Sequence, residues 1–232
     1  MSKASTICIT GGTGFVGIGV ASLFLERGYK IRCLVRNERS AQKLGALKEK
    51  FPNQLECIIG DVLEPNDIIR ALEGCSALVH LVGIRRKEAK ASGLTYDDID
   101  IGSAITSAVA MQRSGLKRIL LLSAGAIGNS YYVQCKAKAE QAIMSTNLDW
   151  TIFRPAFIIG PTQQWPVLIA PFLWMFGLLP GNFGAIARKS GNITRSELAE
   201  AFLLSLEDDT SIRKILEVPE IRRITSRNRQ NN

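Results

Sequence analysis

Tyr132 and Lys136 lie four residues apart and are the side chains in this sequence best suited to acid–base chemistry. Residues at this spacing share one face of a helix. The ammonium is expected to favour the phenolate and lower the tyrosine pKa, so that Tyr132 could exchange a proton with a carbonyl or hydroxyl oxygen. Ser123 follows an apolar run and could polarise the same oxygen. Adjacent Tyr131 competes for the role of Tyr132.

The segment TGGTGFVG, which ends at Gly17, carries a glycine at every third position. Gly11 permits a sharp turn, Gly14 permits close approach of the backbone to a phosphate, and Gly17 permits close packing of helix on strand. The N–H groups that open the following helix would then face the phosphates. The turn therefore predicts a dinucleotide site.

The end of the second predicted strand, LVRN, distinguishes between the two nicotinamide dinucleotides. It carries no acid for the ribose hydroxyls, and Arg36 suits a 2′-phosphate, with Arg39 or Lys43 in support. We therefore predict NADP(H) rather than NAD(H). An arginine that only faces solvent is the alternative interpretation.

Other loops that follow predicted strands supply further candidate contacts. Asp61 could accept a hydrogen bond from the adenine amino group or only cap the turn before Pro65, and Lys136 could hold the nicotinamide ribose. His80, the only histidine, lies in an apolar run and is predicted to be a core residue rather than a catalytic one. The cofactor residues predicted from the turn and loops are Gly11, Thr13, Gly14, Phe15, Val16, Gly17, Arg36, Asp61, Val62, Leu81, Val82, Gly83 and Lys136.

Apolar runs alternate with amphipathic segments along residues 1–155, which predicts a doubly wound α/β fold with a parallel sheet. The predicted strands are 5–10, 30–35, 55–59, 77–82, 118–122 and 150–154, and the predicted helices are 15–27, 40–50, 65–72, 96–114 and 132–146. Residues 156–232 are expected to form a small substrate-side lobe on the same domain. In it, Thr194 and Glu197 predict a capping box, and residues 213–218 predict a strand in the main sheet or a small side sheet. The basic tail beyond is expected to be solvated and frayed.

The composition fits a packed globular protein of 232 residues, with 46% hydrophobic and 22% charged residues. The net charge of +8 fits an anionic ligand, but the basic residues are dispersed, which argues against a nucleic-acid partner. The five cysteines include no CxxC pair, so we assign no metal site and expect a reducing compartment. The first strand begins too early for a signal peptide, so we expect a cytoplasmic protein, or one of an organelle matrix if a transit peptide has been removed.

The segment WPVLIAPFLWMFGLL, from Trp165 to Leu179, is apolar and rich in aromatic residues. Two prolines interrupt it, and it is shorter than the ~20 residues of a membrane-spanning helix. We interpret it as a buried helix or a substrate-pocket wall. Peripheral contact with a membrane or a membrane complex is the alternative.

The Gly-rich turn, Ser123 and the Y-x-x-x-K pair together resemble an extended or atypical short-chain dehydrogenase/reductase with a Rossmann core. The segment RPAFIIGP, which begins at Arg154, is similar to an R-P-x-x-I-x-G-P segment of this group, and the resemblance extends to about residue 160. The most similar branch contains proteins like the nucleotide-binding accessory subunit of respiratory complex I and the NmrA-like redox sensors. The resemblance implies that Pro155, Phe157 and Ile158 line the nicotinamide end of the cofactor. The interval from Ser123 to Tyr132 is shorter than is usual in the class.

These observations lead to three functional hypotheses. The first is an NADP(H)-dependent oxidoreductase that acts on a carbonyl or alcohol of a small hydrophobic substrate, with Ser123, Tyr132 and Lys136 as catalytic residues. The second is a non-catalytic NADP(H)-binding sensor or an accessory protein of a membrane complex. The third is an epimerase or dehydratase. The sequence leaves the oligomeric state open.

Overall fold

A seven-stranded parallel sheet forms the centre of the protein in the computed structural model, which describes residues 5–125, 130–161 and 191–230. The strands in chain order are β1 (Thr6–Thr10), β2 (Lys30–Val35), β3 (Leu55–Ile59), β4 (Cys75–His80), β5 (Arg118–Leu122), β6 (Asp149–Arg154), β7 (Phe157–Ile159), β8 (Asn192–Thr194) and β9 (Lys214–Glu217). The sheet order is β3-β2-β1-β4-β5-β6-β9, and β7 pairs with β8 separately. This order confirms the predicted doubly wound sheet, with its switch point between β1 and β4.

Helices cover both faces of the sheet. They are α1 (Phe15–Glu26), α2 (Glu38–Ala41), α3 (Gly45–Lys50), α4 (Pro65–Leu72), α5 (Arg86–Ser92), α6 (Gly102–Ser114), α7 (Tyr131–Met144), α8 (Arg195–Glu207) and α9 (Val218–Gln230). On one face, α1 and α8 bury Phe24 and Phe202 against the sheet. On the other, α4, α6 and α7 bury Ile68, Met111 and Ile143. Burial of each such side chain contributes about 1.5–3 kcal/mol.

Three predicted elements differ from the observed ones. The helix predicted over 40–50 is divided into α2 and α3 by a 3₁₀ turn at Gln42–Leu44. The strand predicted over 77–82 ends at His80, which leaves residues 81–85 as a loop at the carboxyl edge of the sheet. The helix predicted over 96–114 begins with a π-helical turn, Asp97–Ile101, and such turns are frequent at functional sites.

The region after Pro155 contributes to the main sheet through β9, which pairs with β6. Helix α8 begins at the predicted capping box, in which Thr194 Oγ1 accepts a hydrogen bond from the backbone N–H of Glu197, and it packs against α1. The division at residue 155 and the substrate-side position of the later residues stay predictions. The segment from Trp165 to Leu179 lies outside the described residues.

The predicted frayed tail was wrong, because residues 218–230 form α9. Val218, Ile221 and Thr225 are buried at helical spacing, and α9 packs against α8, so hydrophobic burial stabilises the helix while Arg222 and Arg223 face solvent. Across the part of the chain that is described, every helix is too short or too polar to span a lipid bilayer.

Candidate functional site

The Gly-rich turn lies at the carboxyl end of β1 and opens into α1. Gly11 has φ +76°, and a Cβ there would lie 2.8 Å from the carbonyl carbon of Leu81, so both the conformation and the space require glycine. A Cβ on Gly17 would lie 2.7 Å from the Gly12 backbone and would clash with the carbonyl of Gly11. The turn is thus held against the loop after β4 by contacts that a side chain would prevent.

The start of α1 is open to an anion. Gly14 is the exposed N-cap, with extended backbone and no side-chain cap, and the first turn of α1 contains no acidic residue. Unpaired N–H groups and the positive end of the helix dipole are therefore presented together, which fits the pyrophosphate of a dinucleotide. Thr13 is half-buried beside Gly14, and Val16 is buried in the core, so Val16 would meet the ligand through its backbone.

The loop after β4 joins the turn to helix α7. The N–H of Leu81 donates to the carbonyl of Thr10 at 3.0 Å, which continues the β1–β4 pairing. The carbonyl of Val82 accepts a hydrogen bond from Lys136 Nζ at 3.1 Å. Gly83 is exposed, and a Cβ there would lie 3.0 Å from Lys136 Nζ.

Lys136 forms a buried ion pair with Asp100, a residue that is absent from the predicted site. Lys136 Nζ lies 2.7 Å from Asp100 Oδ1, and the two side chains are 7% and 0% exposed. The other carboxylate oxygen accepts a hydrogen bond from the N–H of Ile84 at 3.2 Å. Asp100 precedes buried Ser103 and Ser107 at helical spacing. That pattern puts an acid on a buried helix face and could have indicated a cationic partner.

Tyr132 lies beside this pair, in a cluster of tyrosines. Its ring centroid is 5.9 Å from Lys136 Nζ and 5.2 Å from the centroid of the Tyr96 ring. Burial, followed by the charge of Asp100 and the nearby Tyr96, raises the pKa of Tyr132 well above its usual value. The expectation of a lowered pKa was therefore wrong, because burial of the phenol, and after it the charge of Asp100, raises the pKa instead. The competitor Tyr131 is 52% exposed.

Ser123 follows β5 and is buried at the same edge of the sheet. Its N–H donates to the carbonyl of Phe153 at 2.8 Å, and the N–H of Gly125 donates to the carbonyl of Pro155 at 2.8 Å. The hydroxyl of Ser123 is buried and has no hydrogen-bond partner within the described residues. The segment after β5 therefore runs beside the one after β6, whereas residues 126–129, between Ser123 and α7, lie outside the described residues.

The residues expected at the adenosine end lie at the carboxyl ends of β2 and β3. Arg36 directly follows β2 and is exposed. Its charge contributes to lowering the pKa of Glu88, after the larger effect of Arg85. Asp61 caps the local turn, since its Oδ1 accepts a hydrogen bond from the N–H of Leu63 at 2.9 Å. Neighbouring Val62 is half-buried.

The residues expected at the nicotinamide end follow β6. Pro155 is buried, and Phe157 and Ile158 are half-buried in β7. Just beyond β7, a Cβ on Gly160 would lie 2.6 Å from Cζ of Phe15. The Phe15 ring, next to Gly14 in the Gly-rich turn, thus packs against the segment that follows β7.

His80 is a buried core histidine, as predicted. Thr10 Oγ1 and Ser107 Oγ lie 2.9 and 3.1 Å from Nδ1, and Ser103 Oγ lies 3.2 Å from Nε2. Burial, and secondarily the charge of Lys136, lower the pKa of His80 to about 3. The ring is therefore neutral at physiological pH, and its contacts join β4 to β1 and to α6.

A family model described as NAD(P)H-binding matches residues 11–169, which is more than half of the chain. The chain belongs to this NAD(P)H-binding family. The match begins at the Gly-rich turn and extends beyond β7, and it confirms the predicted nicotinamide dinucleotide.

Curated relatives of this NAD(P)H-binding protein include reductases and an assembly factor. It is 22% identical to cinnamoyl-CoA reductase CAD2 of Medicago truncatula, over 88% of this chain and 73% of the relative. It is 29% identical to photosystem II assembly factor Ycf39 of Trieres chinensis, over 70% of this chain and 49% of the relative. It is also 29% identical to a putative dihydroflavonol 4-reductase of Synechocystis, over 69% of this chain and 51% of the relative. The chain thus spans about half the length of the latter two relatives.

Solved structures share the fold. The oxidoreductase YlbE of Lactococcus lactis has a TM-score of 0.64 at 22% identity, with 90% of this chain and 88% of that chain covered. WbmH of Bordetella bronchiseptica, solved in complex with NAD+, has a TM-score of 0.63 at 16% identity, with 88% of this chain and 72% of that chain covered. At these identities the likeness shows a common Rossmann-like architecture.

Proposed function

We propose that this NAD(P)H-binding protein is an NADP(H)-dependent oxidoreductase that reduces a carbonyl group of a small hydrophobic substrate. Tyr132 is the proton donor, Lys136 holds the cofactor ribose, and Ser123 binds the carbonyl oxygen. In this function, residues 156–232 lie on the substrate side of the site.

One unbroken series of contacts carries this proposal. Gly11 touches Leu81, and Val82 accepts a hydrogen bond from Lys136, whose ammonium lies over the ring of Tyr132. The phosphate end of the dinucleotide site is thereby linked to the tyrosine across the carboxyl ends of β1 and β4. In doubly wound sheets, ligands bind at this switch point.

The protonation state of Tyr132 suits a proton donor to a carbonyl oxygen. With a raised pKa, the phenol carries its proton at neutral pH and has it available to donate to a carbonyl oxygen. When bound, NAD(P)H would supply a hydride for the carbonyl carbon and would itself become NAD(P)+. As the C=O π bond breaks, the Tyr132 phenol gives its proton to the oxygen, the product is an alcohol, and the tyrosinate recovers a proton from water.

The preference for NADP(H) rests on Arg36. It is exposed directly after β2, the segment Leu34–Asn37 carries no acid, and its guanidinium suits a 2′-phosphate. Two of the relatives are named as reductases, which supports carbonyl reduction.

A second function is favoured by one observation at the site. The Lys136 ammonium is already paired with Asp100, so the lysine could serve to fix the structure around a permanently bound cofactor. The similarity to Ycf39, named as an assembly factor, fits a protein that binds NADP(H) and contacts a membrane complex.

Turnover of NADPH with a panel of carbonyl compounds separates the two functions. The panel should contain aliphatic and aromatic aldehydes, ketones, quinones and acyl thioesters, and the loss of reduced-nicotinamide absorbance should be followed. We expect catalytic turnover with at least one hydrophobic carbonyl compound. Tight NADPH binding without turnover of any compound would contradict the reductase and favour the accessory function.

A further inference from the structure

Arg195, the first residue of α8, lies in a recess on the first turns of α1. Its guanidinium carbon is 5.4 Å from the centroid of the Phe15 ring. A Cβ at position 19 would come within 2.9 Å of both Cγ and Cδ of Arg195, so glycine leaves room for the arginine stem. A glycine inside a helix costs about 1 kcal/mol relative to alanine. The space that the Arg195 stem occupies explains why a glycine stands at position 19 despite this cost.

Gly160 forms the other side of this recess. A Cβ there would lie 2.6 Å from Phe15 Cζ and 3.4 Å from the Cβ of Arg195. Arg195 also directly follows β8, whose last residue, Thr194, is paired with Ile159 of β7. Arg195 therefore lies where the Gly-rich turn meets the segment expected at the nicotinamide end.

The charge of Arg195 has no counterpart in the described part of the chain. The side chain is half-buried, and none of the ion pairs between described residues includes it. The first turn of α1 is also free of acidic residues. A partly desolvated guanidinium beside the positive end of a helix dipole is unfavourable without an anion.

We propose that Arg195 pairs with a phosphate oxygen of the pyrophosphate in the bound dinucleotide. Its guanidinium lies against Phe15, the residue after Gly14 in the turn that receives the phosphates, which favours the pyrophosphate over an acidic group of a substrate. The inference rests on the dinucleotide site alone and holds whether or not the protein reduces a carbonyl compound.

Binding of NADPH and NADH to Arg195→Met tests this inference, because both dinucleotides contain the pyrophosphate. Methionine keeps a long apolar stem and removes the charge. We expect Kd to rise by about tenfold or more for both dinucleotides, as for the loss of a charged hydrogen bond. Arg36→Met should raise Kd for NADPH alone, and Arg223→Met, on the exposed face of α9, should change neither.

Arg195→Lys separates charge from packing. We expect the lysine variant to bind both dinucleotides more tightly than Arg195→Met does, at an equal Tm of the ligand-free proteins. Unchanged Kd values in Arg195→Met would overturn the proposal. So would equal losses in the two variants with a matching fall in Tm, which would assign Arg195 a packing role. An effect confined to the KM of a carbonyl substrate would mean that Arg195 pairs with an anionic group of that substrate. This result, too, would overturn the assignment to the pyrophosphate.

Discussion

Lys136 Nζ lies 2.7 Å from the carboxylate of Asp100, and both side chains are almost fully buried. The ammonium that the sequence suggested as an activator of Tyr132 is thus neutralised by an acid on a neighbouring element. Burial, and after it the charge of the same carboxylate, raises the pKa of Tyr132. This ion pair ties α7 to the π-helical turn before α6.

Removal of one partner of this pair should destabilise the protein strongly. Asp100→Asn leaves the Lys136 ammonium buried without a counter-charge, and we expect the free energy of unfolding to fall by about 3 kcal/mol or more. The double variant with Lys136→Met should recover at least 1 kcal/mol of that loss, as measured by denaturant titration. Additive effects of the two substitutions would mean that the pair is not coupled.

Asp100→Asn should also move the titration of Tyr132. Loss of the carboxylate removes a cause of the raised pKa and leaves the Lys136 ammonium unneutralised, so the phenol should ionise at lower pH than in the wild type. The alkaline limb of the pH–rate profile for carbonyl reduction should shift in the same direction. Ultraviolet titration against Tyr132→Phe isolates this tyrosine, and an unshifted limb would show that Asp100 does not affect it.

His80 should make the stability of the protein depend on pH below neutrality. Its pKa is about 3 in the folded protein and ~6.5 when unfolded, so between these values the unfolded chain binds the proton and the folded one does not. Stability is therefore lost as pH falls through about 6.5, by up to ~1.4 kcal/mol per pH unit. Denaturant titrations at pH 7, 6 and 5 should show this slope, and His80→Asn should reduce it, because no other histidine is present. A slope that persists in the variant would point to carboxylates instead.

Arg36→Asp should reverse the preference between the two dinucleotides. The substitution repels a 2′-phosphate and provides an acceptor for ribose hydroxyls, so the Kd for NADPH should rise by ~10–100-fold while that for NADH falls. Lys30→Asp changes the net charge equally at the opposite end of β2 and serves as the matched control. If both variants weaken NADPH binding alike, Arg36 acts only through overall charge.

The strands and the Gly-rich turn could be predicted because local patterns determine them. Apolar runs of strand length alternate with amphipathic segments, and at Gly11 and Gly17 only glycine fits. The end of β4 was misplaced by two residues, because Leu81 and Val82 are as apolar as the strand before them. The tail was mispredicted as well, since the buried stripe of α9 is interrupted by arginines.

The electrostatics of the site could not be predicted from Tyr132 and Lys136 alone. Their spacing gives the helix face, but the pKa of the tyrosine depends on burial and on Asp100, which is distant in sequence and placed by a π-helical turn. Likewise, the recess that holds Arg195 joins residues from three separate segments, Phe15, Gly160 and α8. Such relationships follow from the packing of elements rather than from any local pattern.

The turnover of Tyr132→Phe compared with Tyr131→Phe tests the central claim most directly. The two tyrosines are adjacent, and both contact Tyr96, but Tyr131 is half exposed whereas Tyr132 lies against Lys136. At saturating NADPH, with a carbonyl compound that the wild type reduces, we expect Tyr132→Phe to lower kcat by 100-fold or more, in the range of ~10²–10⁴ for loss of a general acid. Tyr131→Phe should stay within threefold of the wild type, and both variants should keep the wild-type Kd for NADPH. Undiminished kcat in Tyr132→Phe would contradict the account and remove this tyrosine from the reaction.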